Sequence, residues 1–309
     1  MEIRSGDKPK IIVILGPTSS GKTSLSIKVA KKFNGEIVSA DSRQVYKGMD
    51  VGTGKVTEEE AQGIAHHLID IASPKRNFSA GKYKKAAEKA ISDIIKRDKI
   101  PIVCGGTAFY IKILVDGIVL PKVKPDSKLR RELEKESPKY LFEYLKSIDP
   151  LRANEIEQNN PRRLIRAIEI VTKSGSPVPP IKKDSKFNSI KIGINKDPKE
   201  LNNLIKKRLK SRLKQGMIEE TQRLKDSGIS WKRLDGFGLE YRWTSRYLRG
   251  KVSYQEMFDA LLRDIIKFSK KQMIWFNYDK DIIWIKNYRE AIPEIDSFLQ
   301  KKERKSSLL

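Results

Sequence analysis

The chain has 309 residues, enough for one large domain or two modest ones, and its formal charge is +25. This excess of basic residues is unusual for an enzyme of small anionic metabolites. It favours a nucleic acid or an anionic surface as partner, although a generally lysine-rich proteome would give the same balance. The single cysteine excludes an internal disulfide and a cysteine-built zinc site. No apolar run suits a membrane span and the first residues lack a signal-peptide pattern, so we expect a cytoplasmic protein.

The first predicted elements are a short buried strand, 11–15, and the glycine-rich turn that follows it. The turn reads Gly16-x-x-x-x-Gly21-Lys22-Thr23, the complete pattern of a phosphate-binding loop. Its backbone N–H groups can surround an anion, and the helix that begins near Lys22 adds its positive end. The lysine supplies a charge, and the threonine hydroxyl suits Mg²⁺. The residues predicted to bind the phosphate group are Gly16, Pro17, Thr18, Ser19, Ser20, Gly21, Lys22 and Thr23.

A second strand is predicted at 36–40, and Asp41 stands at its end. The carboxyl ends of strands line the ligand crevice of open α/β sheets, so Asp41 is expected to face the bound phosphates. Polar and aromatic side chains follow in the same loop, where they can hydrogen-bond to a base or stack on it. These side chains are Ser42, Arg43, Gln44 and Tyr46.

Strands and helices continue to alternate up to about residue 107. A glycine-rich loop covers 48–55, a helix is predicted at 79–97, and another strand at 100–103. Adjacent His66 and His67 lack further ligands at metal spacing, so a structural or hydrogen-bonding role is favoured over a metal site. The alternation predicts an α/β fold with a parallel sheet flanked by helices.

The residue composition changes at Pro121, where prolines begin to separate short charged helices, and a second unit is predicted to start there. Its clearest helix is 161–173, with Gly175 as its cap. Arg162 and Arg166 lie one turn apart on this helix. They either clamp a phosphate backbone or form a solvated basic face. A strand at 191–194 is predicted to return the chain to the sheet.

The last third of the chain begins with a long basic helix, 198–215, on which Arg208 and Arg212 lie one turn apart. The stretch 235–249 mixes glycines, aromatics and arginines, which suits contacts with bases, although aromatic residues are more often part of a core. A core-facing helix at 254–276 and an edge strand at 282–285 follow. The tail, 301–309, is predicted to be disordered.

Six blocks in this order resemble the bacterial tRNA dimethylallyltransferases, also called tRNA isopentenyltransferases. The blocks are GPTSSGKT from Gly16, SADSRQVYKGMDVGTGK from Ser39, HHLID from His66, GGTAFYI from Gly105, DP…NNPRRLIRAIEI from Asp149 and KKQMIWF from Lys270. They are spread over most of the chain. The DSRQVYKGMD block is much more specific than the phosphate-binding loop, which many unrelated families share.

The resemblance implies both a fold and a reaction. The fold is a P-loop catalytic core, here 1–120 and 192–309, with an inserted all-helical domain, here 121–191, that binds the tRNA anticodon stem-loop. The reaction moves a dimethylallyl group from dimethylallyl diphosphate to N6 of the adenosine directly 3′ of the anticodon, giving N6-isopentenyladenosine. The resemblance also implies a monomer.

The resemblance further implies roles for individual residues. Asp41 is the general base, and Arg208 joins Lys22, Thr23 and Mg²⁺ at the diphosphate, with Thr23 as the metal ligand. The target base must leave its stack to be reached, as in other base-modifying enzymes. The residues expected to contact tRNA are Asp41, Ser42, Arg43, Gln44, Thr107, Arg130, Arg162, Arg163 and Arg166.

Several positions depart from the family pattern, and two other functions remain open at this stage. Gly54 replaces a usual alanine, and the usual GY-x-E motif reads GFGLEYR from Gly236. One alternative is an ATP-dependent kinase of nucleosides or small metabolites, in which Asp41 contacts Mg²⁺ or the acceptor hydroxyl. The other is a non-catalytic RNA-binding protein with a vestigial loop, against which the intact Lys22-Thr23 pair argues.

Overall fold

The computed structural model describes residues 8–301, and six strands and fourteen helices lie within this range. The strands are β1 Lys10–Leu15, β2 Gly35–Ser39, β3 His66–His67, β4 Ile100–Gly105, β5 Asn188–Ile194 and β6 Ile282–Ile285. The helices are α1 Lys22–Lys32, α2 Glu58–Ala61, α3 Ala80–Ile95, α4 Ala108–Val115, α5 Ser127–Leu133, α6 Pro138–Ile148, α7 Pro150–Glu155, α8 Pro161–Ser174, α9 Pro198–Lys214, α10 Met217–Asp226, α11 Trp231–Phe237, α12 Leu239–Leu248, α13 Tyr254–Asn277 and α14 Tyr288–Gln300. The start of the chain and all of the predicted disordered tail after Lys301 lie outside the described residues.

The six strands form one parallel sheet in the order β3-β2-β4-β1-β5-β6. Strand β1 lies at its centre, and the apolar residues from Ile11 to Leu15 are almost fully buried. Such continuous apolar strands are typical of parallel sheets that helices cover on both faces. The predicted α/β fold with a parallel sheet is therefore confirmed. The predicted edge position of β6 agrees with the observed strand order.

The ends of the central strands determine where functional side chains lie. The phosphate-binding loop follows β1, the loop containing Asp41 follows β2, and the loop containing Thr107 follows β4. Because β2, β4 and β1 are adjacent and parallel, these three loops emerge at the same edge of the sheet. This edge is where ligands bind in open α/β folds.

The chain divides into two compact units. One comprises the residues up to Gly117 together with those from Ser185 onward, and the other is Ile118–Asp184. Residues from Asn188 pair with β1 as part of β5, so 185–191 belong to the sheet-containing unit. The second unit is therefore a few residues shorter at its C-terminal end than the predicted insertion, 121–191. A strand beginning at Asn188 was not apparent because Asn188 and Ser189 are polar.

The second unit is helical and has its own core. Leu141, Leu145, Leu164 and Ile168 are fully buried between α6 and α8. Glu169 is also fully buried, and both of its carboxylate oxygens accept hydrogen bonds from arginines of the same unit. The core and this ion-pair network stabilise the arrangement of the short helices α5 to α8.

The stretch 235–249 forms α11 and α12 of the sheet-containing unit. Phe237 and Tyr241 are almost fully buried and pack in one cluster with Val45 and Met49. For these two side chains the expectation of base stacking was wrong, and the alternative that they belong to a core was right.

None of the helices within residues 8–301 combines the length and apolar character that crossing a membrane requires.

Candidate active site

The phosphate-binding loop has the backbone geometry that its glycines permit. Gly21 has a φ of 95° in the left-handed region and directly precedes α1 as its N-cap. A residue with a Cβ atom would be strained there, whereas glycine is not. Ser19 also has a positive φ, 63°, a feature that the sequence pattern did not indicate. With eleven residues, α1 is long enough to present the positive end of its dipole at Lys22.

The Lys22 ammonium group lies inside the curve of the loop. Its Nζ donates a hydrogen bond of 2.6 Å to the carbonyl oxygen of Pro17. Burial lowers the pKa of Lys22 to about 8, and the positive charge of Arg208 contributes in the same direction. The negative charge of Asp41 opposes this shift. An anion bound in the loop would stabilise the charged form of the lysine.

Lys22, Thr23 and Arg208 line one cavity of about 640 Å³ in the sheet-containing unit. The wall also includes the apolar side chains of Ile27 and Leu204. Burial and the charge of the neighbouring Arg212 lower the pKa of Arg208 to about 10, so it remains protonated near neutral pH. The structure thus brings together three of the residues predicted to bind a diphosphate.

The glycine-rich loop 48–55 holds Arg208 through its backbone. Arg208 Nη2 donates to the carbonyl oxygen of Gly54 over 3.3 Å, and Arg212 Nη1 donates to that of Gly52 over 3.1 Å. Gly54 has a φ of 60°, and a Cβ atom there would lie 1.9 Å from Arg212 Nη2 and 2.5 Å from Arg208 Nη2. Glycine at this position therefore lets both guanidinium groups approach the loop.

Asp41 lies at the carboxyl end of β2, one residue after Ala40, and is half-buried. Its Oδ1 atom accepts the backbone N–H groups of Arg43 at 2.7 Å and Gln44 at 3.3 Å. Within residues 8–301 no hydrogen bond to Oδ2 is found. One oxygen therefore orients the carboxylate, and the other is available to accept a proton.

The residues predicted to hold the target base surround Asp41. The Ser42 N–H group donates to Thr107 Oγ1 over 3.0 Å, which joins the loops after β2 and β4. The Gln44 side chain accepts from Ser39 Oγ at 3.0 Å and donates to the Gly54 carbonyl oxygen at 3.2 Å. The Arg43 guanidinium lies 5.7 Å from the centre of the Phe237 ring.

The four arginines predicted to contact tRNA from the helical unit differ in their surroundings. Arg162 is exposed, and Arg163 is exposed with an Nη1 atom 3.5 Å from Glu157. Arg130 and Arg166 instead both bind the buried carboxylate of Glu169. The structure does not place Arg162 and Arg166 on one open basic face.

Three polar side chains near the site, Gln272 and Glu220, which are buried, and Glu240, which is partly buried, were given no role from the sequence. Gln272 contacts the phosphate-binding loop, Glu220 binds the backbone of loop 48–55, and Glu240 lies 3.1 Å from Arg212. Burial raises the pKa of Glu240. Each contact joins positions far apart in the chain, so no local residue pattern signals it.

Both of the adjacent histidines, His66 and His67, make hydrogen bonds. His67 Nε2 lies 2.7 Å from Glu36 Oε2, and His66 Nδ1 lies 2.8 Å from the carbonyl oxygen of Ile64. In the part of the chain that the structure describes, no group of three or more His, Cys, Asp or Glu side chains is arranged to hold a metal ion. The hydrogen-bonding role that the sequence favours agrees with these contacts.

Comparison with known proteins identifies relatives over nearly the whole chain. A tRNA dimethylallyltransferase of Acetivibrio thermocellus is 41% identical over 284 residues, covering 89% of this chain and 91% of the relative. A full-length tRNA isopentenylpyrophosphate transferase of Bacillus halodurans has a similar structure, with a TM-score of 0.71 and 35% identity over 94% of this chain and 96% of that one. A eukaryotic dimethylallyltransferase acting on tRNA superposes with a TM-score of 0.82 and 26% identity, covering 97% of this chain and 81% of the other.

The profile of the IPP transferase family matches residues 44–279. This match begins after the phosphate-binding loop, so it does not rest on a loop that many families share. It includes Arg208, the glycine-rich loop 48–55 and the helical unit. The chain belongs to the IPP transferase family, the tRNA dimethylallyltransferases.

Proposed function

We propose that this enzyme transfers a dimethylallyl group from dimethylallyl diphosphate to N6 of the adenosine directly 3′ of the anticodon of tRNA. The observation that carries the proposal is the edge of the sheet where Lys22, Thr23 and Arg208 line one cavity and Asp41 follows β2, which β4 separates from β1. The cations suit a diphosphate, and the carboxylate suits a proton acceptor. The relatives' names supply the prenyl group and the tRNA.

The nucleophile requires a base because the N6 lone pair of adenine is delocalised into the ring. As the bond between N6 and the allylic carbon forms, Asp41 Oδ2 accepts a proton from N6. The two N–H groups that bind Oδ1 hold the carboxylate in place during this step. A base positioned in this way typically contributes about a hundred- to ten-thousandfold in rate.

The leaving group requires stabilisation of negative charge. The bond between the allylic carbon and the diphosphate oxygen breaks, and its electron pair stays on the diphosphate. Lys22, Arg208 and the N–H groups at the start of α1 neutralise the developing charge. The apolar side chains Ile27 and Leu204 in the same cavity suit a hydrocarbon chain better than a nucleoside.

Mg²⁺ fits this site through Thr23. Thr23 lines the cavity together with Lys22 and carries a hydroxyl, and Mg²⁺ typically combines few protein ligands with phosphate oxygens and water. Thr23 and the diphosphate would therefore hold the ion together. When bound, the ion supplies positive charge to the diphosphate oxygens.

The helical unit is proposed to contact the anticodon stem-loop through Arg162 and Arg163, which are exposed. Arg130 and Arg166 are proposed to contribute less to the contact with tRNA, because both are paired with Glu169. In the sheet-containing unit, Thr107 and the segment 41–44 are proposed to hold the target adenosine and its neighbours.

The proposal is tested by incubating the protein with Mg²⁺, radiolabelled dimethylallyl diphosphate and an unmodified anticodon stem-loop. Label is expected in the RNA and should be absent when the target adenosine is replaced by guanosine. A parallel reaction contains labelled ATP in place of the prenyl donor. Phosphate transfer from ATP without prenyl transfer would overturn the proposal and support a kinase.

A further inference from the structure

Gln272 on α13 joins the phosphate-binding loop to the loop after β4. Its Oε1 atom accepts the backbone N–H of Thr18 at 2.9 Å, and its Nε2 atom donates to the carbonyl oxygen of Gly106 at 2.7 Å. The side chain is only 6% exposed. The two loops serve different substrates in the proposed reaction. The first binds the diphosphate of the donor, and the second leads to Thr107, which is proposed to contact the tRNA.

Near neutral pH, the side-chain amide of a glutamine can make both bonds. Thr18 offers an N–H and needs an acceptor, whereas Gly106 offers a carbonyl oxygen and needs a donor. A glutamine presents one acceptor and one donor on a single planar group. A carboxylate lacks the donor, and an apolar side chain lacks both. The bonding partners also fix which end of the amide faces each loop.

The Pro17–Thr18 peptide is held from both sides. Its carbonyl oxygen accepts from Lys22 and its N–H group donates to Gln272. If Lys22 turned to a bound diphosphate, the bond to Gln272 and the bond from the Ser20 N–H to the Pro17 carbonyl oxygen, at 3.3 Å, could still hold this peptide. The contact with Gln272 would then help to preserve the loop geometry while the donor is bound.

The chain of bonds continues toward Asp41. Gly106 precedes Thr107, whose N–H donates to the carbonyl oxygen of Ala40 at 3.1 Å and whose Oγ1 accepts from Ser42 at 3.0 Å. Asp41 lies between Ala40 and Ser42, so these two bonds hold its backbone from both sides. Gln272 thus links the loop that binds the diphosphate with the residues that orient the base.

We propose that Gln272 is a positioning residue that fixes the phosphate-binding loop relative to Asp41, and thereby the donor carbon relative to the target N6. This inference rests on the proposed function. An error of about 1 Å in such an arrangement can lower the rate about a hundredfold without removing either substrate.

Gln272→Ala is therefore expected to lower the single-turnover rate of prenyl transfer about a hundredfold. The Kd of the stem-loop and the KM of dimethylallyl diphosphate should change less than about threefold, since neither is a direct partner of Gln272. The matched control is Gln255→Ala, an exposed glutamine of the same helix that donates to Asp259. An unchanged rate, or a loss confined to binding, would overturn the proposal.

Gln272→Glu tests the donor separately and covers the case in which the alanine variant fails to fold. The protonated acid can donate to Gly106, whereas the carboxylate repels its carbonyl oxygen. The rate of this variant divided by the wild-type rate should therefore rise as pH falls. A ratio that does not change with pH would contradict a role for the Nε2 donor.

Gly106→Ala perturbs the same contact from the other side. A Cβ atom there would lie 2.5 Å from Gln272 Nε2, and the next-nearest atom, the Gly16 carbonyl oxygen, would lie 3.6 Å away. The substitution should slow transfer in the wild-type background and have little additional effect in Gln272→Ala. Additive effects of the two substitutions would show that they act independently.

Hydrogen exchange separates this inference from the proposed function because it needs no turnover. Gln272→Ala should increase the exchange of peptides covering 16–23 and 105–107, whereas Gln255→Ala should not. If exchange increases in Gln272→Ala but the wild-type protein transfers no prenyl group, the role of Gln272 in holding the two loops is supported and the proposed function is refuted. Normal transfer by the wild type with unchanged exchange in Gln272→Ala would refute the inference alone.

Discussion

Lys22 differs from a surface lysine because its pKa lies near 8. Burial is the main cause, and the charge of Arg208 adds to it. A diphosphate bound beside Lys22, as proposed, would raise this pKa again, so its binding above pH 8 would take up a proton. The attraction from the charged lysine is fully present below the pKa of the free protein and is lost as pH rises through it.

We expect the affinity for inorganic diphosphate to fall above pH 8 by up to about tenfold per pH unit. Isothermal titration between pH 6.5 and 9.5 measures this dependence. Lys22→Arg is the matched control because arginine keeps its charge throughout this range. The protonation of free diphosphate affects the wild type and Lys22→Arg equally. If affinity depends on pH in the same way for both proteins, Lys22 is not the titrating group.

Asp41 uses its two carboxylate oxygens differently. Asp41→Asn keeps an oxygen that can accept the N–H groups of Arg43 and Gln44 but removes the proposed proton acceptor. We expect kcat to fall about a hundred- to ten-thousandfold, with the Kd of the stem-loop changed less than about threefold. Asp93→Asn on α3 is the control, since Asp93 is paired with Lys89 on the helix surface. Normal turnover by Asp41→Asn would exclude Asp41 as the base.

At the scale of elements, α10 holds the glycine-rich loop through a single carboxylate. Glu220 is 2% exposed, and its Oε2 atom accepts the N–H groups of Asp50 and Val51, both at 2.7 Å. Its Oε1 atom accepts the N–H of Gly52 and the hydroxyl of Tyr241. The loop bound in this way presents the carbonyl oxygens that hold the two arginines of α9.

Glu220→Gln replaces an acceptor with an NH₂ group that faces other donors. Leaving buried donors unsatisfied should lower the free energy of unfolding by about 3 kcal/mol. Urea denaturation measures this change. Glu219→Gln, at the adjacent exposed position, should change stability by less than about 0.5 kcal/mol. Equal stability of the two variants would contradict the role assigned to Glu220.

The sequence was most informative where structure is local. The strand, loop and helix around Gly16–Thr23 follow from short-range residue patterns, and so do α8 with its Gly175 cap and the alternation that predicts the parallel sheet. Contacts between distant segments were not predictable. Thr18 and Gln272 are 254 positions apart. Arg166 was expected on an open face because helical spacing alone does not reveal that Glu169 and Arg130 converge on it.

At the scale of the whole molecule, the charge of +25 favours a polyanionic partner. A protein that neutralises several phosphates releases counterions from the nucleic acid, so its affinity falls as salt increases. We expect the Kd of the anticodon stem-loop to rise at least about a hundredfold between about 50 and 200 mM salt. Fluorescence anisotropy measures this dependence. Little change would contradict binding through basic side chains.

Arg162 provides a residue-specific test of this electrostatic binding. Arg162 is exposed at the start of α8, and no ion pair to it is found among residues 8–301. If it contacts a phosphate, Arg162→Ala should lower the slope of log Kd against log salt by about one and weaken binding more than it slows single-turnover transfer. The comparison is Arg131→Ala, an exposed arginine of α5 that is not assigned to tRNA. A variant that binds tRNA normally but transfers slowly would instead place Arg162 at the reaction centre.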